Sequence, residues 1–156
     1  MKIELIVVGK TADARLSALI DDYLSRIAHY SSFEMITVPE RRNTKSISRE
    51  QQKREEGAAV LRRLQQSDSV VLLDEHGTEM SSTELARYIE KLQSTARRLV
   101  FVVGGPYGFC DEMHARADDE LSLSRLTFSH QMVRLIFVEQ LYRAFTIIKG
   151  EPYHHE

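Results

Sequence analysis

The chain has a single cysteine, Cys110, in 156 residues. It cannot close an intrachain disulfide, which excludes a disulfide-stapled scaffold and suits a reducing compartment. There is no C-x-x-C and no H-x-x-x-H, and the adjacent His154 and His155 do not converge easily on one ion, so no metal site is expected. Neither sign of charge is in excess: 21 Lys and Arg stand against 23 Asp and Glu, and no global positive field marks a nucleic-acid binder. No apolar run reaches the length of a membrane span. The stretch Ile3–Val8 is broken by Glu4, stops at Gly9 and is too short for the apolar region of a signal peptide. A cytoplasmic protein with no membrane partner is expected. Two phosphate-binding fingerprints are missing as well. There is no G-x-x-x-x-G-K-[ST], and Gly9 is followed by Lys10, Thr11 and Ala12 instead of G-x-G-x-x-G, which speaks against a nicotinamide or flavin oxidoreductase. A nucleoside ligand without a phosphate chain stays open, because it needs shape and backbone hydrogen bonds more than charge.

What is present is an alternation of strands and helices, uninterrupted by repeats or low-complexity linkers, with 42% hydrophobic and 28% charged residues. This fits one domain over residues 1–156. Lys2–Val8, Phe33–Val38, Ser69–Asp74 and Arg98–Val103 read as strands, the first apolar on both faces like a central parallel strand. Leu16, Leu19, Ile20, Tyr23, Leu24 and Ile27 fall at helical spacing behind Asp13, a candidate N-cap. Ser48 with Gln51, and Ser81 with Glu84, form capping-box patterns; the first helix should run to about Gln66, the second through Leu92. Glu40–Thr44 reads as a loop, Glu75–Gly77 as a turn, Asp111–Ala117 as a short helix, and Glu120–Phe128 as a short strand followed by a loop. Gln131–Lys149 is a helix apolar nearly all round. A small domain has little room to bury such a helix on every side, so a dimer interface is expected. Alternation of this kind implies a parallel sheet with helices on both faces. Ligands then sit at the carboxyl ends of strands, here in the loops after Leu73, Val103 and Leu123.

Three glycines follow the fourth strand within five residues, Gly104, Gly105 and Gly108, with Pro106 stiffening the loop. They suit close approach of a ligand to backbone, or a tight turn and nothing more. Leu121–His130 is rich in hydroxyls and could wrap an adenine ring or be an ordinary connection. Arg134 lies one turn after His130 and shares its helix face. Arg143 stands in an apolar helix where an unpaired charge is costly; it either pairs with a carboxylate such as Glu139 or faces a phosphate or nucleobase. Tyr153 and His154 offer stacking and hydrogen bonding in what could equally be a loose tail. Basic residues gather from Arg41 to Arg63 (Arg41, Arg42, Lys45, Arg49, Lys53, Arg54, Arg62, Arg63), able to hold RNA phosphates or simply to lace a solvated helix with ion pairs.

Taken in order, Val70–Asp74, Val102–Gly108, Leu121–Arg134, Glu139–Phe145 and Pro152–His154 resemble the bacterial RlmH family. These are SPOUT-class enzymes that methylate N3 of a pseudouridine in large-subunit (23S) ribosomal RNA. The resemblance covers the whole chain. It implies an α/β fold, a parallel sheet flanked by helices with its C-terminal part tied into a trefoil knot, which no pattern rule would propose. It implies S-adenosyl-L-methionine as cofactor, with Leu73, Gly104 and the run Leu123, Ser124, Arg125, Leu126, Thr127 and Phe128 against it. It implies a homodimer with the site near the subunit boundary, and ribosomal RNA within the large subunit or whole ribosome as substrate, with Tyr153 and His154 helping to form the RNA site. For the chemistry, His130 is the candidate proton acceptor or orienting group and Arg143 the candidate stabiliser of developing charge. Ser129 stands where members often carry proline, which touches only local loop shape. A non-catalytic nucleoside-binding or ribosome-associated module on the same fold is the competing reading.

Overall fold

A computed structural model of the chain describes residues 1–40 and 44–156. The expected loop at Glu40–Thr44 and the cations Arg41 and Arg42 fall largely outside the described residues. Five strands, β1 (Lys2–Val8), β2 (Ser32–Val38), β3 (Ser69–Glu79), β4 (Arg98–Val103) and β5 (Asp119–Ser122), pair in parallel in the order β2-β1-β4-β3-β5. Between them run α1 (Ala14–Ile27), α2 (Arg49–Leu61), α3 (Ser82–Thr95) and α4 (Asp111–Arg116), and α5 (Met132–Lys149) closes the chain.

The two faces follow from the period-two alternation of strand side chains. Ile3, Leu5 and Val7 of β1, with Leu99, Phe101 and Val103 of β4, pack against α1, α3 and α5. Their neighbours Ile6, Val8, Val100 and Val102 pack on the other side against Val60 of α2 and Met113 by α4. Glu4, the one break in β1, is buried, and it is held by Arg98 at 3.1 Å and Lys2 at 3.2 Å. Arg98 also pairs with buried Asp68 at 2.7 Å. A carboxylate this deep is tolerable only with such partners.

The last helix departs from expectation in an instructive way. It lies on the sheet between α1 and α3, and Phe137, Val138, Leu141, Ala144 and Phe145 are buried within the single chain, Phe137 with its ring centroid 4.7 Å from that of Phe101. Most of its apolar circumference is therefore satisfied inside the chain. Only an outer strip remains, where Met132 is exposed and Leu135 and Ile136 are half-buried.

Two boundaries also shift. The expected turn at Glu75–Gly77 is a bulge inside a longer β3: Leu73 and Thr78 both pair with Leu121, and pairing continues at Glu79. Asp74 holds the bulge by accepting the amide of His76 at 2.9 Å, an Asx turn. Gly77 lets the backbones touch where the strand returns, since a Cβ there would lie 2.6 Å from the backbone of Glu120. Helix α2 stops at Leu61 instead of near Gln66, where Asp68 takes the amide of Gln65 at 2.7 Å and turns the chain toward β3. Ser48 caps α2, but Gln51 reaches forward to Glu55 instead of back, so only half of that capping box forms; Ser81 and Glu84 complete theirs on α3.

Candidate active site

A cleft of about 640 Å³ opens at the carboxyl ends of β3 and β4. All three loops that the strand alternation singled out meet there. Leu73 to His76 form one wall and Val103 to Phe109 a second. The third is the segment after β5, which supplies Leu123, Ser124, Leu126, Thr127, Phe128, Ser129 and His130. That segment leaves the edge strand and runs back across the sheet. Thr127 donates to Glu75 on the way, and Gln131 then docks beside β1, donating to the carbonyl of Lys10 at 3.1 Å and accepting from the amide of Ala12 at 2.9 Å. Ser129 accepts the amide of Met132 at 3.0 Å and so starts the last helix.

The glycine wall is built by space as much as by backbone freedom. Gly108 has φ +81° and closes a turn back to the carbonyl of Gly105 at 3.2 Å; a side chain there would be strained. Gly104 and Gly105 carry no such angle. A Cβ on Gly104 would sit 3.1 Å from the carbonyl oxygen of Gly108 and 3.3 Å from the ring of Phe109, and one on Gly105 would fall 2.2 Å from the carboxylate of Glu56. Glu56 is itself buried; burial pushes its carboxyl pKa up, and Gln52 donates to it at 3.0 Å.

Leu73, Gly104, Leu123, Ser124, Leu126, Thr127 and Phe128 thus come together as expected, and His130 joins them. Arg125 does not: its side chain is 86% exposed and 3.7 Å from Glu79. His130 is half-buried, and burial together with the nearby Arg134 guanidinium lowers its pKa below the usual histidine range, so the imidazole is neutral at pH 7.

Arg134 carries a role that its spacing from His130 only hinted at. It is fully buried, and its planar fork spends its donors on the carbonyls of His130 (2.9 Å), Gly9 (2.8 Å) and Val8 (2.8 Å) and on the Thr11 hydroxyl (3.1 Å). One side chain ties the end of β1, the turn after it and the start of α5 to one another. Only guanidinium offers enough donors in that geometry.

Arg143, Tyr153 and His154 are brought together with each other but not with the cleft. Arg143 donates to Glu139 and, at 3.1 Å, to Nδ1 of His154; its guanidinium lies 4.8 Å from the ring centroid of Tyr153, whose hydroxyl donates to Glu139 at 3.0 Å. Of the two sequence readings of Arg143, the structure shows the ion pair with Glu139, and it adds contacts with the tail that neither reading named. Arg143 follows Met132 by eleven residues of α5, about 16 Å at 1.5 Å per residue. Among the described residues, buried Nε of Arg143 and Nε2 of His154 have no hydrogen-bond partner, although Glu156 lies 3.3 Å from the latter in poor geometry. Beside the cleft, Asp74, His114 and Glu120 bring ligand-type atoms within 4.8 Å of one another, a grouping that no sequence spacing announced. His114 already bonds Glu120 at 2.8 Å.

Comparison with known proteins agrees with this architecture. A family model described as predicted SPOUT methyltransferase matches residues 1–154. The ribosomal RNA large subunit methyltransferase H of Bacteroides fragilis is 54% identical over 157 residues, covering all of both chains. Proteins of the same name from Christiangramia forsetii and Porphyromonas gingivalis are 53% and 52% identical, over 99% and 100% of both chains. Among solved structures, the tRNA (m1G37) methyltransferase from Aquifex aeolicus superposes with a TM-score of 0.58 at 13% identity, over all of this chain and 76% of that one; this likeness concerns the fold alone. With the parallel sheet, the cleft at its carboxyl edge and a match over nearly every residue, the chain belongs to the SPOUT methyltransferase family.

Proposed function

We propose that this chain transfers the methyl group of S-adenosyl-L-methionine to N3 of a pseudouridine in 23S ribosomal RNA, working as a homodimer on the assembled ribosome. The observation that carries the reading is the cleft itself, in a chain that matches proteins named ribosomal RNA large subunit methyltransferase H end to end. Its walls are backbone, hydroxyl and apolar side chain, which suits an adenosine. Among the described residues lining it there is no Lys or Arg, while Asp74 and Glu75 are present. Such a lining disfavours a phosphate chain and favours a ligand carrying positive charge.

S-adenosyl-L-methionine, when bound, supplies a methyl on a sulfonium with a neutral leaving group, so the reaction calls for alignment and needs no Lewis acid. The protein's share is positioning and proton removal. The loop 123–130 forms one wall of the cleft at the strand ends. N3 of a uracil-type ring carries a proton at neutral pH, and His130, neutral and facing the cleft, is placed to accept it. Arg143 lies too far along α5 to serve the same cleft, and Tyr153 and His154 of the tail pack beside it. A second copy would bring one protomer's tail to the other's cleft, where Arg143 could steady negative charge on the base, and where the unpartnered Nε of Arg143 and Nε2 of His154 could find partners. The exposed strip at Met132, Leu135 and Ile136 is the apolar surface available for that pairing. The return of the chain from β5 across the strand ends into α5 is the path on which the trefoil knot is proposed.

The test is transfer of radiolabelled methyl to assembled ribosomes lacking the modification, followed by nuclease mapping. Label in 3-methylpseudouridine is expected; cofactor binding without label would move the reading to another RNA or to a binding module. Within the same assay, Gly104→Val is expected to weaken S-adenosylhomocysteine binding by more than tenfold, measured by calorimetry, because the added methyls push Gly108 and Phe109 out of the wall. Unchanged affinity would remove that wall from the cofactor pocket.

A further inference from the structure

Few large apolar side chains are exposed among the described residues, and two of them line the cleft: Tyr107, 43% exposed, in the loop after β4, and Leu126, 74% exposed, in the loop after β5. Tyr107 sits at the tip of the Gly105–Gly108 turn, which is held from both sides. The φ of +81° at Gly108 sets its shape, and the buried carboxylate of Glu56 fills the space beside Gly105. The ring is therefore presented outward on a braced turn. The guanidinium of Arg49, at the start of α2, lies 5.0 Å from its centroid. Among the described residues, Arg49 has no carboxylate partner. A cation against one side of an exposed aromatic ring orients the ring and leaves positive charge beside the opening. Lys45 and Arg54, within five residues of Arg49 in sequence, are exposed as well.

Building on the function proposed above, we propose that Tyr107, backed by Arg49, is a stacking platform for an unpaired nucleobase of the RNA substrate at the mouth of the cleft. Every base has a π-face to lay on the free side of the ring, and the adjoining phosphate would meet Arg49. Aromatic stacking joined to a nearby cation is how single-stranded RNA is gripped without reading its sequence. Among the described residues lining the cleft there is no Lys or Arg, so within one chain the positive charge that meets the RNA backbone comes from outside that lining. Leu126, in the loop after β5, lines the same cleft.

Loss of one stacking contact corresponds to roughly a 5- to 150-fold change. Tyr107→Ala is expected to raise the KM for ribosomes at least fivefold with kcat little changed, and Tyr107→Phe to restore it, since stacking needs the ring and not the hydroxyl. S-adenosylhomocysteine affinity, measured on the same preparations, is expected to change by much less than the KM in both, which also shows that the variants are folded. An unchanged KM in Tyr107→Ala overturns the platform. So does an equal loss of S-adenosylhomocysteine affinity, which would put Tyr107 in the cofactor pocket. If the wild-type chain itself transfers no methyl to ribosomes, the ribosomal reading falls and the platform with it. Transfer by the wild type with an indifferent Tyr107→Ala removes the platform alone.

Discussion

Replacing His130 by alanine is expected to slow methyl transfer to ribosomes by roughly 10²- to 10⁴-fold, the usual contribution of a positioned proton acceptor. S-adenosylhomocysteine affinity should change little by comparison. The imidazole lines the cleft without a hydrogen-bond partner of its own among the described residues, so its removal leaves no partner stranded. The pH profile adds a second check. Burial and the Arg134 guanidinium set the folded-state pKa of His130 below the ordinary value of 6.5. The neutral, accepting form therefore persists through neutrality and is lost as the pH falls through that lowered pKa. Activity should decline on that acidic limb, and His130→Gln should abolish the limb along with most of the rate. Stability shifts in the same direction: below pH 6.5 the unfolded chain takes up the proton before the folded one does, which weakens the fold. An unchanged rate in His130→Ala would take the residue out of the mechanism.

Arg134→Met should have the largest effect on stability. The guanidinium donates to three carbonyls and a hydroxyl in a fully buried position. Methionine fills similar length but donates nothing. Each hydrogen bond from a charged donor contributes about 1.5–3 kcal/mol, and two of these bonds, to Val8 and Gly9, are fully buried. A loss of about 3 kcal/mol or more follows, which for a domain of this size is roughly 6–12 °C in Tm. Thermal unfolding followed by circular dichroism would measure it. Because the same side chain fixes the carbonyl of His130, transfer should also slow at temperatures where the variant is folded. A Tm within 2 °C of wild type, on the order of a surface substitution, would show that water or a neighbour replaces the lost donors.

Much of the fold was legible from local chemistry. Asp13 accepts the amides of Arg15 and Leu16 as an N-cap should, Ser81 and Glu84 close their capping box, and apolar residues on both faces of Lys2–Val8 marked a strand covered on both sides. Strand–helix alternation placed the site at the carboxyl ends, and the glycine and hydroxyl segments after Val103 and Leu123 do line one cleft. The errors have equally local causes. The Asp74–Gly77 bulge looks like a turn because an Asx turn and a glycine are turn chemistry; only pairing with β5 carries the strand past it. The all-round apolar α5 is a different case: the sheet and two flanking helices cover most of it, and the strip they leave keeps the expected dimer interface a proposal.

The sequence by itself determined the elements, their caps, the parallel class of the sheet and, through an ordered set of motifs, the family. Those properties depend on residues a few positions apart, or on pattern preserved along the whole chain. Tertiary structure decided where Arg125 points, what Arg134 ties together, and that Arg143, Tyr153 and His154 form a cluster of their own away from the cleft of the same chain. It also set Tyr107 on a braced turn beneath Arg49, 58 positions earlier in the sequence. Such arrangements arise from contacts between elements remote in sequence, and strand order and helix packing, which no local propensity encodes, determine them.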